Sequence, residues 1–285
     1  MEFSYADAFS RNLGFFSHAD QEKVRQTKIA IVGMGGVGGH HLHTLSRMGF
    51  CRYHIADLDI FDVVNFNRQI GATMSHLGWA KTDVMAKIAL DVNPESEITQ
   101  FNQGVTPENM DEFLKGVDLL VDGLDVFAID IRMLLFERAY DLGIPTITAG
   151  PFGMGTSIVA FKPGGVRPKH YFQITDGMPP KHKLVHFLTG VSPMPLHGGY
   201  VVAPELVNVD EGRVPSLHVG CLAATAVIGA TTLKIILNRG PMLWAPRGYH
   251  TDFYYNRVYR FWRPGGNKNP LNQFVIWLTK KKYNV

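Results

Sequence analysis

Ile29-Ala30-Ile31-Val32-Gly33-Met34-Gly35-Gly36-Val37-Gly38 is an apolar run that breaks into glycines. Downstream lie Asp57-Leu58-Asp59 and then Asn65-Phe66-Asn67-Arg68-Gln69. A buried strand entering a glycine turn, a helix starting from it and an acid at the end of the next strand form a nucleotide-binding layout. The glycines let backbone approach a phosphate at a helix N-terminus. A dinucleotide reading accounts for Gly33, Gly35, Gly36, Gly38 and Asp57. It leaves Asn65, Arg68 and Lys81 without a task.

Working outward, strand and helix signals alternate through residue 162. Lys28 to Val32 reads as a strand, and Val37, His41, Leu42, Leu45 and Met48 recur at helical spacing until Gly49. Strand patterns follow at Tyr53 to Asp57, Ile98 to Phe101, Val117 to Val121, Ile144 to Thr148 and Thr156 to Lys162. Helical patterns occupy Ala80 to Leu90, Pro107 to Leu114 and Ala128 to Tyr140. This alternation predicts a Rossmann-like α/β fold, a mostly parallel sheet with helices on both faces and the ligand at the carboxyl ends of the strands. Gly33, Asp57, Gly123 and Asp125 all stand at such ends.

Beyond the core the texture changes. Residues 163–216 are rich in Pro, Gly and His with little periodicity, which reads as an irregular crossover or substrate segment. Val219 to Leu237 is nearly all apolar and reads as a helix buried in a core rather than a membrane span. From Tyr249 to the end, aromatics alternate with bases, through Tyr259-Arg260-Phe261-Trp262-Arg263 to Lys280-Lys281-Lys282. That pattern predicts a small β extension with its aromatics packed inward. The organisation expected is a nucleotide-binding core with an N-terminal helical arm at 1–162, the crossover at 163–216, and residues 217–285 completing the same domain.

Composition limits the function classes. The chain has 285 residues, 46% hydrophobic and 19% charged, with a formal net charge of +3, as a folded soluble protein has and without demanding a polyanionic partner. Two distant cysteines, Cys51 and Cys221, with no CxxC, indicate neither a disulfide framework nor structural zinc. The first twenty residues carry acids and aromatics where a signal peptide needs a basic start, so the expected location is cytoplasmic. His40 with His43, and His182 with His186, share helix faces but lack a third ligand.

A triphosphate beside the glycine turn, approached by an attacking carboxylate, crowds like charges that repel by about 4 kcal/mol at ~4 Å in an intermediate dielectric. Cations must converge there. Arg68 offers a planar fork and Lys81 a compact charge. Asp125 is placed to hold Mg²⁺ against the phosphates, since magnesium uses one or two carboxylates plus phosphate oxygens. Asp57 suits the ribose hydroxyls, and Asp59 either assists the metal or caps the loop.

Together these residues resemble the ThiF/MoeB superfamily, adenylating enzymes related to ubiquitin-activating enzymes. The resemblance rests on Tyr5 with Ser10-Arg11-Asn12, the glycine turn, Asp57-Leu58-Asp59, Asn65-Phe66-Asn67-Arg68-Gln69, Gly78-Trp79-Ala80-Lys81, Asn93-Pro94 and Val121-Asp122-Gly123-Leu124-Asp125. It implies ATP- and Mg²⁺-dependent transfer of AMP to a carboxylate, commonly the C-terminus of a ubiquitin-like or sulfur-carrier protein or a peptide, with release of pyrophosphate. Arg68 and Lys81 then stabilise the phosphates, Asp125 organises the metal, and Arg11 matches the arginine that reaches the neighbouring subunit's ATP site, implying a homodimer. The chain departs from the family where Val126 follows Asp125 and Asp130 occupies the position five residues after it, with Arg132 two further on. No cysteine stands in the crossover, which disfavours a thioester. Activation of a carboxylate on a tRNA nucleoside, an NAD-dependent oxidoreductase and a silent nucleotide-binding module remain as alternatives, with a nucleic-acid partner not favoured and no membrane partner expected.

Overall fold

The computed structural model describes residues 2–194, 196–207 and 214–283. Residue 195 and residues 208–213 of the expected crossover, and residues 284–285 of the tail, lie outside the described residues. The chain divides into two compact units, Met1–Leu124 with Thr225–Met242, and Asp125–Ala224 with Leu243–Val285.

In the first unit, short α1 (Tyr5–Ala8) and α2 (His18–Gln26) precede β1 (Lys28–Val32). The Ser17 hydroxyl caps α2 by accepting the Asp20 N–H, and Asp20 returns the bond to the Ser17 N–H, a capping box. Then come α3 (Gly38–Arg47), β2 (Arg52–Ala56), α4 (Lys81–Val92), β3 (Glu97–Phe101), α5 (Met110–Phe113) and β4 (Leu119–Asp122). The strands run β3-β2-β1-β4, all parallel, with Ile29 opposite Tyr53 and Leu119. β1 and β4 are almost wholly buried, as strands covered on both faces must be. α5 is four residues long, far shorter than the Pro107 to Leu114 helix expected, because Pro107 to Asn109 are spent on a turn in which the Asn109 side chain accepts from the Thr106 N–H.

The second unit is built differently. After α6 (Ile129–Asp141), β5 (Thr146–Phe152) and β6 (Gly155–Phe161) form a tight hairpin, and α7 (Pro168–Phe172) and α8 (Pro180–Val191) follow. β7 (Arg247–Asp252) and β8 (Arg257–Trp262) extend the antiparallel order β5-β6-β7-β8, and α10 (Pro270–Tyr283) closes the chain. α9 (His218–Ile236) contributes residues to both units. Long and apolar enough to cross a membrane, α9 has 56% of that stretch buried, with Cys221, Ala224, Ile228 and Thr232 inward.

Two expectations are corrected here. The 163–216 segment is irregular only in part, because α7 and α8 form within it. Pro168 and Pro180 sit at first-turn positions, where a missing N–H costs nothing, so prolines that look like breakers start helices. The tail does form a β extension, β7 paired with β8, but it does not pack all its aromatics inward. Phe261 is buried at 4% exposure, but Trp262 is 59% exposed, and residues 270–283 form a helix with Phe274 and Trp277 outward and Asn272 and Ile276 inward. On β8, Tyr259 and Phe261 share one face while Val258, Arg260 and Trp262 share the other, so alternation alone could not say which face is covered.

Candidate active site

The glycine turn is where the first unit's backbones approach most closely. Gly33 has φ +88°, and a Cβ there would meet the Gly123 carbonyl oxygen at 2.3 Å. At Gly38 a Cβ would lie 1.7 Å from the Gly33 carbonyl oxygen. β1, the start of α3 and the end of β4 are thus folded together at a distance only glycine allows. The Met34 N–H, inside the turn, donates to Asp57 Oδ2 at 2.6 Å.

From Asp57 a chain of contacts leads to a buried cation. Asp57 Oδ1 accepts the Asp59 N–H at 2.9 Å. Asp59 accepts twice from Lys81, its carbonyl from the backbone N–H at 3.0 Å and its carboxylate from Nζ at 2.9 Å. Lys81 is 5% exposed and is the first residue of α4, whose N-cap, Ala80, has no side-chain oxygen to offer. A cation at the positive end of a helix and out of water needs an anion beside it. Here Asp59 supplies it, with its own side chain 59% exposed. The α4 start is fixed further by the Thr82 hydroxyl donating to Asn102 Oδ1 and Asn102 Nδ2 donating to Asp83.

Arg68 is placed differently from Lys81. Its Nη1 donates to the Val64 carbonyl and to Asn67 Oδ1, both at 2.9 Å, local contacts on its own loop. Asn65, 8% exposed, holds that loop, its Oδ1 accepting from the Asp62 N–H. The loop is tied to α3 by His40, whose Nε2 lies 3.2 Å from the Arg68 carbonyl. His40, weighed above as a metal ligand, therefore has a structural partner, and His43 accepts from Arg47. Among the described residues no group of three His, Cys, Asp or Glu is assembled for a metal. Arg11 lies exposed on the turn Ser10–Asn12.

Sequence reasoning quoted Gln69 without giving it a task. It is 7% exposed, its amide lies 3.6 to 3.9 Å from where a Gly35 Cβ would stand, and its Oε1 has no hydrogen-bond partner among the described residues. A buried, unsatisfied amide oxygen costs free energy unless something completes it. Its sequence signal was adjacency to Arg68.

Asp125 opens the second unit. Its Oδ1 accepts the Phe127 N–H at 3.0 Å, and its carbonyl accepts from Arg132 Nη2 at 3.0 Å. Arg132 is 2% exposed, its guanidinium stacked 4.4 Å from the centre of the Phe187 ring. Asp130 pairs with Lys183 at 2.5 Å. Cys221 is 1% exposed and Cys51 is 5% exposed, its thiol pushed up to about 11 by burial.

The ThiF family pattern matches residues 9–272, and the chain belongs to that family. Among curated proteins it is 32% identical over 142 residues to the tRNA threonylcarbamoyladenosine dehydratase of Bacillus subtilis, covering 50% of this chain and 55% of that one. It is 35% identical over 107 residues to a probable molybdopterin-synthase adenylyltransferase of Porphyra purpurea, covering 38% of this chain and 28% of that one. The chain spans about half the length of the dehydratases it matches. The solved structure of Escherichia coli MccB with ATP superposes with a TM-score of 0.65 at 19% identity, covering 92% of this chain and 73% of that one, a likeness of fold.

Proposed function

We propose that this chain is an ATP-dependent adenylyltransferase that converts a carboxylate into an acyl-adenylate with release of pyrophosphate. One observation carries the reading: a lysine buried at a helix start and connected through two aspartates to a glycine turn that only glycines can make. That is a cation stored where a triphosphate would lie, and positioned charge is what phosphoryl and nucleotidyl transfer need. The naming of a relative as an adenylyltransferase, and the ATP in the MccB structure, point the same way.

In this reading Gly33, Gly35, Gly36 and Gly38 admit the phosphates, Asp57 takes the ribose hydroxyls, and Lys81 and Arg68 balance charge developing on the phosphates. Asn65 keeps the loop that presents Arg68. Asp125, whose carboxylate accepts one backbone N–H, is the residue that would hold a Mg²⁺ ion, and the ion would supply positive charge to offset the phosphates. A homodimer is part of the proposal, with Arg11 reaching the neighbouring subunit. It is supported by exposed apolar side chains on the first unit, Phe15 at 86%, Leu58 at 73%, Val64 at 71% and Ile60 at 58%. Buried free thiols suit a reducing cytoplasm.

The proposed substrate is a small protein or peptide ending in a carboxylate. A second reading, a carboxylate on a tRNA nucleoside, is favoured by the dehydratase similarity and by Trp262, Phe274 and Trp277 standing outward among bases. Carboxylate-dependent exchange of pyrophosphate into ATP tests the activity. Lys81→Ala and Arg68→Ala should each lower it by about two to three orders of magnitude, the scale of losing one transition-state donor. Full exchange in both variants rejects the assignment. ATP binding without exchange against any carboxylate would point to the silent module, and a copurifying nicotinamide cofactor to the oxidoreductase.

A further inference from the structure

Asp59 has three bonded roles at the candidate site, and only two of them are needed for structure. Its carbonyl fixes the Lys81 backbone and its N–H is held by Asp57, so the 57–59 turn is fastened to α4 without the carboxylate. Among the described residues the carboxylate bonds to Lys81 Nζ alone, at 2.9 Å, on a side chain 59% exposed. The lysine is the opposite, 6% exposed by its side chain and set at the positive end of α4. An ion pair with one freely solvated partner is weak, because the exposed carboxylate regains hydration when it leaves. The buried cation cannot leave so cheaply. The pair is therefore asymmetric: the carboxylate can go and the ammonium cannot. The Gln69 Oε1, buried with no hydrogen-bond partner among the described residues, lies beside Gly35 in the glycine turn that Asp57 holds through the Met34 N–H, an independent sign that this turn awaits a ligand.

We propose that Asp59 is a stand-in for phosphate, a positioning residue that holds the Lys81 ammonium in place and yields it to an incoming polyphosphate. This rests on the nucleotide reading given above and adds to it a competition. Before binding, Asp59 holds the Lys81 side chain in place. On binding, the phosphate displaces the carboxylate, which swings into water. When pyrophosphate departs, Asp59 recaptures the lysine and so helps release the product. The contribution of Asp59 is thus opposite in sign to that of an ordinary binding residue, because it weakens polyphosphate affinity in exchange for turnover.

The test is calorimetric titration of the full chain with Mg-ATP and with metal-free inorganic pyrophosphate. Asp59→Asn, which keeps shape and hydrogen bonding but removes the charge, should bind both ligands about three- to tenfold more tightly than the wild type. In a Lys81→Met background the same substitution should change affinity by less than twofold, since no lysine remains to compete for. A purely structural Asp59 would not give that dependence on Lys81. Should Asp59→Asn fail to fold, Asp59→Ser serves the same comparison. Equal or weaker binding of both ligands by the variant overturns the proposal. So does weaker Mg-ATP binding with unchanged pyrophosphate binding, which would assign Asp59 to a metal. A wild-type chain that binds neither ligand fails the nucleotide reading itself, and this inference with it.

Discussion

Each unit of the chain buries a cation, and the two stand in different surroundings. Lys81 in the first unit is paired with a carboxylate that is mostly in water. The contacts of Arg132 in the second include a backbone carbonyl and the face of an aromatic ring. A backbone carbonyl cannot move aside without unfolding its turn, whereas an exposed side chain can rotate away. Burial of a charge is therefore not by itself a sign of function; what matters is whether its counter-group can be exchanged. By that criterion Lys81 is available to a ligand.

The contrast can be broken by stability measurements. Arg132→Ala should lower unfolding free energy by about 2 to 4 kcal/mol, the range for removing a buried, bonded and stacked group, as read from urea unfolding. Lys81→Met should cost under ~1 kcal/mol, in line with a pair having one exposed member, while lowering pyrophosphate exchange by about two to three orders of magnitude. Similar destabilisation by both substitutions would erase the distinction drawn between the two cations.

Buried neutral groups extend the comparison to both units. His41 in the first unit accepts or donates through Nδ1 with the Thr225 hydroxyl at 3.0 Å, and burial pulls its pKa down to about 3. His250 in the second pairs with the Ser192 hydroxyl at 2.8 Å and is pulled down to about 4, chiefly by burial and secondarily by His197. Both imidazoles titrate near 6.5 when unfolded, so the unfolded chain takes up protons first as pH falls. The stability from keeping them neutral is whole above about pH 6.5 and declines toward pH 4, by about 1.4 kcal/mol per pH unit for each histidine. Replacing His41 or His250 with Asn should flatten the fall in melting temperature between pH 6.5 and 4.5. An unchanged slope would mean that the imidazoles are already protonated in the fold.

The smallest effect belongs to the exposed aromatics. Trp262→Ser and Trp277→Ser should each change unfolding free energy by no more than about 0.5 kcal/mol, as surface positions do. A loss of 2 kcal/mol or more would show that these rings are covered, against the outward placement described for the second unit.

How much could be foreseen differs between the same two units. The first unit was legible because its signals are local: β1 and the turn after it need an apolar run followed by glycines, and α3 needs its apolar spacing. Asp57, Asp59 and Lys81 were found as candidates from that order alone. Their connection was not, since it depends on the Ile60–Ala80 bridge bringing the 57–60 loop beside α4. Arg68 is expected from the sequence to converge on the site, whereas its guanidinium bonds to Val64 and Asn67, because the loop's own carbonyl and amide lie within reach of a long flexible side chain. The second unit was less legible. Prolines opening α7 and α8 masked helices, and aromatics on both faces of β8 hid which face was inside.

The sequence by itself determined the strand, glycine turn and helix around Gly33 to Gly38 and the identity of the charged residues after them, because covalent neighbours and a fixed backbone period set these. Only the tertiary structure decided which counter-ion Lys81 holds, that Arg132 is buried against the Phe187 ring, and which aromatics face water. Those depend on residues far apart in the chain meeting, and on the burial that follows, which no local pattern encodes.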